Sequence, residues 1–177
     1  MIFPEVNQEW TLFLDRDGVI NERKMGGYIE TIEEFQFLPG VIDAIVSFSK
    51  IFKHIIVVTN QQGISKGIMT ESNLSDIHRY MTDKIASAGG KIDACYHAPG
   101  LKAMDVTRRK PHPGMALEAK EHFPAIDFSK SIMVGDTDSD IQFGKNLGMK
   151  TVRIKTVEPI GIEADATVKN LNEILKK

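Results

Sequence analysis

Short apolar runs alternate along this chain with longer stretches in which apolar residues recur every three or four positions. WTLFLD (10–15) reads as a buried strand, and so do HIIVVT (54–59), KIDACYHA (91–98), KSIMVGD (130–136) and KTVRI (150–154). Between them the spacing changes to that of helices. Pro39-Gly40 opens a helix over VIDAIVSFSKIF (41–52). A second runs over residues 70–90, capped by Thr70 and ended by Gly89-Gly90. A third, PGMALEAKEHF (113–123), starts on a proline. A fourth, DSDIQFGKNLG (138–148), closes on glycine, and the tail NLNEILKK (170–177) reads as a last short helix.

Strands that alternate with helices predict an α/β fold with a mainly parallel sheet and right-handed crossovers. The strands are apolar on both faces, so helices should cover both sides in a doubly wound, three-layer α/β/α arrangement. Ligands of such sheets bind beyond the carboxyl ends of the strands, where the strand order reverses. The residues that follow each strand are therefore the informative ones. They are Asp15 and Asp17 after the first, Thr59 and Asn60 after the second, and Asp136 with Asp140 after the fourth. Lys110 leads into the third long helix.

Composition narrows the partners. At 177 residues, 42% hydrophobic and 26% charged, the chain suits one domain spanning 1–177 with a sizeable core. A formal net charge of -2 argues against general affinity for nucleic acid or anionic membrane. The one cysteine, Cys95, has no internal disulfide partner. With no signal-peptide pattern and no long apolar span, a cytoplasmic location is expected.

The strand-end residues share a chemistry. Unpaired carboxylates crowded at one edge would repel, and a divalent cation relieves that repulsion. Oxygen ligands alone favour a hard ion such as Mg²⁺ over zinc. Asp15 and Asp17 are two apart, so on an extended segment they point to the same side. Asp136 and Asp140 are four apart and share a face at a helix start. A hydroxyl (Thr59), backbone N–H groups and an ammonium (Lys110) form a receptor for phosphate oxygens. Together these are the parts for phosphoryl transfer, with a carboxylate as one available nucleophile. A lone Asp-Gly or Lys-Pro is ordinarily a turn. Four such segments in order at four strand ends are not explained that way.

DRDGVIN, VVTNQQGI, RRKPHPGM and GDTDSD resemble the four motifs of the haloacid dehalogenase (HAD) superfamily, over about Leu12 to Val152. Their particular forms resemble the branch that holds histidinol phosphatases and heptose-bisphosphate phosphatases. The resemblance implies an aspartyl-phosphate intermediate. Asp15 would be nucleophile and Mg²⁺ ligand. Asp17 would be the acid that protonates the leaving oxygen and then the base that activates water, its backbone carbonyl facing the metal. Thr59 and Lys110 would hold the phosphoryl group. Asp136 would be the second carboxylate ligand, with Asp140 supporting it. Asn60, Gln61 and Arg109 would touch substrate.

Two segments set this chain apart within the branch. Relatives often carry a zinc loop with a Cys-x-His pair and a later Cys-x-Cys pair. Here the region reads CYHAPGLKAMDVTRRKP (95–111), with Cys95 and His97 in place and no later cysteine, so zinc is not expected. The segment 21–37 is too short for a cap domain, which leaves a capless site open to solvent, with a small hairpin or flap around Gly26-Gly27. Arg23, Lys24, Tyr28, Lys66, Arg108 and Arg109 are placed to ring its mouth, which suits a sugar bisphosphate. The expected partner is a small phosphorylated molecule, and the protein a monomer or small homo-oligomer. Histidinol phosphate is the nearest rival substrate. A nucleic-acid-end phosphatase and a non-catalytic phospho-acceptor domain are the alternatives from other classes.

Overall fold

A computed structural model describes residues 1–176. Six parallel strands form its centre: β1 Thr11–Leu14, β2 His54–Asn60, β3 Ala94–Ala98, β4 Ser131–Gly135, β5 Lys150–Ile154 and β6 Ala166–Val168. Their order is β3-β2-β1-β4-β5-β6. The chain moves outward from β1 to β3, then crosses back to β4 on the other side of β1. The expected doubly wound sheet is therefore present, with its switch point between β1 and β4.

Alternation along each strand splits the core in two. Leu12, Leu14, Ile55 and Val57 pack on one face, and Phe13, Ile56 and Val58 on the other. Helices α1 (Val41–Phe48) and α2 (Glu71–Ser87) cover the first face through Ile45, Phe48, Leu74, Ile77 and Met81. Helix α3 (Gly114–His122) covers the second through Met115, Ala116 and Ala119, and Phe143 of α4 (Asp138–Asn146) joins it there. Three layers result, as the two-faced apolar strands require.

The helix ends follow local chemistry. Thr70 caps α2 by accepting from the Asn73 N–H at 3.1 Å, while Asn73 Oδ1 accepts from the Thr70 N–H at 2.9 Å. Helix α1 stops at Phe48, short of the expected residue 52: the Lys50 N–H donates to the Ser47 carbonyl three residues back at 3.2 Å rather than to Val46, and residues 49–51 form a turn. The tail differs from expectation too. Leu171–Leu175 forms a 3-10 turn rather than an α-helix, and Lys177 lies outside the described residues. The sequence pattern also missed β6, three residues too short to show a period, and it pairs at the edge with β5.

The segment after β1 returns as a flap. The Glu22 N–H donates to Gln36 O at 2.8 Å and the Leu38 N–H to Ile20 O at 2.9 Å. Between these closures the chain is turns and loop without a ladder, so among the described residues no cap domain stands over the strand ends. Among the described residues no helix is long and apolar enough to cross a membrane.

Candidate active site

Strands β1 and β4 are neighbours in register, Leu14 opposite Val134, and the Asp15 N–H continues the ladder to Val134 O at 2.9 Å. Asp15 and Asp136 therefore leave adjacent strands at the same edge. Gly18, at φ +91°, gives Asp136 its room, since a Cβ there would stand 2.4 Å from Asp136 Oδ2. Helix α4 supplies Asp140. Its Oδ2 accepts from the Thr137 N–H at 3.0 Å and hydroxyl at 2.6 Å, the capping bond that starts α4. Its other oxygen lies 2.7 Å from Lys110 Nζ.

Lys110 reaches this edge from the loop before α3. Asn60 at the end of β2 clamps the lysine backbone, accepting from its N–H at 3.0 Å and donating to its carbonyl at 3.2 Å. The ammonium lies 2.7 Å from Asp15 Oδ1 and donates to Val58 O at 2.7 Å. Burial opposes its charge, but Asp140 and Asp15 outweigh burial and raise its pKa.

The carboxylates are under mutual stress. One oxygen each from Asp15, Asp136 and Asp140 lies within 4.8 Å of the others, and all three residues are buried. Burial, helped by the charges of Asp140 and Asp17 and opposed by Lys110, pushes Asp15 up to about 6. Burial and the charge of Asp15 push Asp136 up to about 8. Asp140 moves down instead, because Lys110 and Thr137 outweigh its burial. Asp136 Oδ1 meets Arg23 at 3.2 Å, while the buried Oδ2 has no hydrogen-bond partner. An orphaned carboxylate oxygen beside two more carboxylates fits a hard divalent cation, which would satisfy it and draw both raised groups down.

Asp17 stands apart from this cluster. The extended geometry expected for residues 15–17 gives way to a bend at Arg16, and the two carboxylates face different neighbours. Asp17 accepts from Arg16, Asn21 and Gln61 at 2.9–3.3 Å. Burial opposes ionisation, yet these bonds hold its pKa below the usual carboxylate value. Arg16 is itself fully buried and meets His78 Nε2 at 3.4 Å. The sequence reading passed over Arg16 and Asn21. The signal was a basic residue between two acids, which strand-end logic alone does not rank.

A cleft opens above these groups. One lobe, about 400 Å³, is lined by Asp15, Lys110, Asp140, Ser139 and Lys102. A second, about 520 Å³, is lined by Asp17, Lys24, Tyr28 and Lys66. Arg23, Asn60, Arg109 and Glu158 border both. Arg109 has a buried, unpartnered guanidinium nitrogen, and its burial lowers its pKa. Arg23 is held by Glu158 at 2.7 Å as well as by Asp136. Arg108 was expected at the mouth. It turns away instead, donating to His97 O at 2.7 Å and pairing with Glu118. Thr59 and Gln61 are each 1% exposed and are not among the residues lining either lobe. The Gln61 side chain is spent on Asp17 and Thr59.

Comparison with known proteins follows the same lines. A HAD-hydrolase-like family model matches residues 107–173. The D-glycero-alpha-D-manno-heptose-1,7-bisphosphate 7-phosphatase of Campylobacter jejuni is 38% identical over 93% of this chain and 92% of its own length. The D-glycero-beta-D-manno-heptose-1,7-bisphosphate 7-phosphatase of Escherichia coli K12 is 38% identical over 87% of this chain and 83% of its own. Among solved structures, the D,D-heptose 1,7-bisphosphate phosphatase of B. bronchiseptica, complexed with magnesium and phosphate, superposes with a TM-score of 0.82 at 25% identity, covering 94% of this chain and 98% of that one.

Proposed function

The chain belongs to the heptose-1,7-bisphosphate 7-phosphatase family of HAD-like hydrolases, and from that premise we propose that it removes the 7-phosphate of a D-glycero-D-manno-heptose 1,7-bisphosphate. The observation that carries the reading is the floor of the cleft. Three buried carboxylates offer oxygens within 4.8 Å of one another, and Lys110 Nζ lies 2.7 Å from Asp15 Oδ1.

In this reading Asp15 attacks phosphorus and the bond to the sugar C7 oxygen breaks, leaving an aspartyl phosphate. Asp17 donates the proton that the departing alkoxide takes up; since Arg16, Asn21 and Gln61 hold it ionised in the free site, it must take up that proton as substrate binds. It then accepts a proton from the water that cleaves the acyl phosphate, which returns Asp15 and releases inorganic phosphate. Lys110 and Thr59 hold the equatorial oxygens, and positioning with charge stabilisation supplies most of the acceleration. Asp15 and Asp136, with the Asp17 carbonyl, are the residues that would hold Mg²⁺, whose charge offsets that of the carboxylates and the phosphoryl oxygens. Lys110 trades part of its contact with Asp15 for phosphate as substrate enters.

Asn60 serves here by fixing the Lys110 backbone. Arg109, with Lys102 and Lys66 on the cleft walls, receives the second phosphate. No zinc enters the proposal. Burial pushes the Cys95 thiol up to about 12, and His97 is paired with Glu71 at 2.8 Å. The loop 99–109 is tied by Arg108 to Glu118 and by Asp105, which accepts from the Thr107 and Arg108 N–H groups. We further take 1–177 as one hydrolase domain acting on a small molecule in the cytoplasm, as a monomer or small homo-oligomer.

Phosphate release with Mg²⁺ and with chelator tests the reading, on both heptose 1,7-bisphosphate anomers, fructose 1,6-bisphosphate and histidinol phosphate. The expected result is Mg²⁺-dependent release with strong preference for one heptose anomer. Preference for histidinol phosphate would move the substrate to the rival branch. Folded protein with no release from any of the four would overturn the reading.

A further inference from the structure

The Gln61 carboxamide joins two parts of the site that the sequence treats separately. It lies two residues past Thr59, where the Gln61 N–H extends the sheet by donating to Ala98 O at 2.8 Å. That fixes its backbone as an extra rung beyond β2. Its Nε2 donates to Thr59 Oγ1 at 2.9 Å and to Asp17 Oδ2 at 2.9 Å. An amide nitrogen carries two hydrogens, and here both are used. The orientation is determined by charge: a flipped amide would set its oxygen against the Asp17 carboxylate.

Each contact has a consequence. Thr59 Oγ1 is engaged as an acceptor, and its own hydrogen has no acceptor among the described residues. A hydroxyl bound in this way presents its proton elsewhere. Asp17 is engaged through the oxygen that Arg16 also contacts, at 3.0 Å. Both Gln61 amide hydrogens are committed to Thr59 and Asp17, so the side chain has no donor left to offer substrate, whereas the Thr59 hydroxyl hydrogen is uncommitted.

We propose that Gln61 is a positioning residue, which aims the Thr59 hydroxyl at the transferring phosphoryl group and ties that aim to the placement of Asp17. Arg16 and Asn21 also grip Asp17, but neither contacts Thr59. Gln61 is the link between the phosphoryl receptor and the acid–base, so its loss weakens the chemical step and leaves substrate capture intact. This inference rests on the phosphatase reading above.

The test is steady-state kinetics of Gln61→Met and Gln61→Glu, each also in a Thr59→Val background, on the phosphomonoester that the wild type turns over fastest. Met keeps the length and removes both donors. Glu keeps the shape and faces two acceptors with a third. For whichever variants fold by circular dichroism, kcat should fall about 30-fold or more with KM within about threefold, the pattern of an interaction made in the transition state. In the Thr59→Val background the loss caused by Gln61→Met should shrink at least about fivefold, because the two residues act as a unit. A raised KM with kcat unchanged would make Gln61 a substrate contact and overturn the proposal. So would wild-type kcat in folded Gln61→Glu, or full additivity with Thr59→Val. If the wild type itself releases phosphate from no phosphomonoester, the phosphatase reading falls instead.

Discussion

The floor of the cleft and its rim are built on opposite plans. On the floor, Asp15, Lys110, Asp136 and Asp140 are nearly inaccessible, and each is placed by a strand end, a helix cap or a backbone clamp. On the rim, the flap 22–37 and the loop 99–109 carry Lys24, Lys102 and Arg109 on irregular backbone tied by side-chain ion pairs. Rigid elements suit chemistry, which tolerates little misplacement. Loops suit selection, since they vary without disturbing the sheet. The division implies that floor substitutions act on kcat, and rim substitutions on KM and on the choice of substrate.

The largest effect is expected at Asp15. Asp15→Asn should lower kcat by about 10⁴-fold or more, as loss of a nucleophile does, while leaving thermal unfolding close to that of the wild type. Asp15 is stressed by burial, so neutralising it should not harm the fold. Near-normal turnover would remove the floor from the chemistry. Asp17→Asn should cost about 10²–10⁴-fold in kcat, the range of general acid–base catalysis. In kcat/KM, which reports the step that expels the leaving group and not the shared hydrolysis of the intermediate, the loss should be smaller on a substrate with an activated leaving group such as p-nitrophenyl phosphate, which needs no proton. Equal losses in kcat/KM on both substrates would contradict the acid role.

Rim substitutions should be milder. Arg108→Ala removes a tie between the loop, His97 O and Glu118, and should raise KM by about threefold with kcat kept, the scale of a half-exposed ion pair. A fall in kcat without a change in KM would place that loop in the chemistry. The smallest effect is thermodynamic. Asp15 and Asp136 have folded pKa values near 6 and 8, raised above the unfolded value. Between pH 4 and 8 the folded state therefore holds more protons than the unfolded one, and these two groups make stability fall as pH rises. Thermal unfolding of the metal-free protein should show that fall, and Mg²⁺ should raise the midpoint more at pH 8 than at pH 5. Equal stabilisation at both pH values would separate the carboxylates from the metal.

The floor was legible in the sequence because strand ends are. A run such as WTLFLD fixes a buried strand, parallel order brings strand ends together, and the acids that follow must meet. Legibility failed where long-range side-chain contacts decide geometry. The bend that sends Asp17 toward Arg16, Asn21 and Gln61 has no local signature. The inward turn of Gln61 is also hidden, since glutamine beside a site reads equally well as a substrate contact. Arg108 and Arg109 look alike in RRKP, yet one anchors a loop through Glu118 and the other faces the cleft with a free guanidinium nitrogen. Neighbours ten or more residues away separate them. The strand β6 escaped because three residues carry no period.

The division between floor and rim is tested most directly at Arg109. The measurement is kcat/KM of wild type and Arg109→Ala on a heptose 1,7-bisphosphate and on the matching heptose 7-phosphate. The wild type should prefer the bisphosphate. The variant should lose about 10–100-fold on the bisphosphate, as for one buried charge-assisted contact, and change little on the monophosphate, so that the preference disappears. The same proportional loss on both substrates would contradict the account, because Arg109 would then serve the reacting phosphate and the rim would not be the selector.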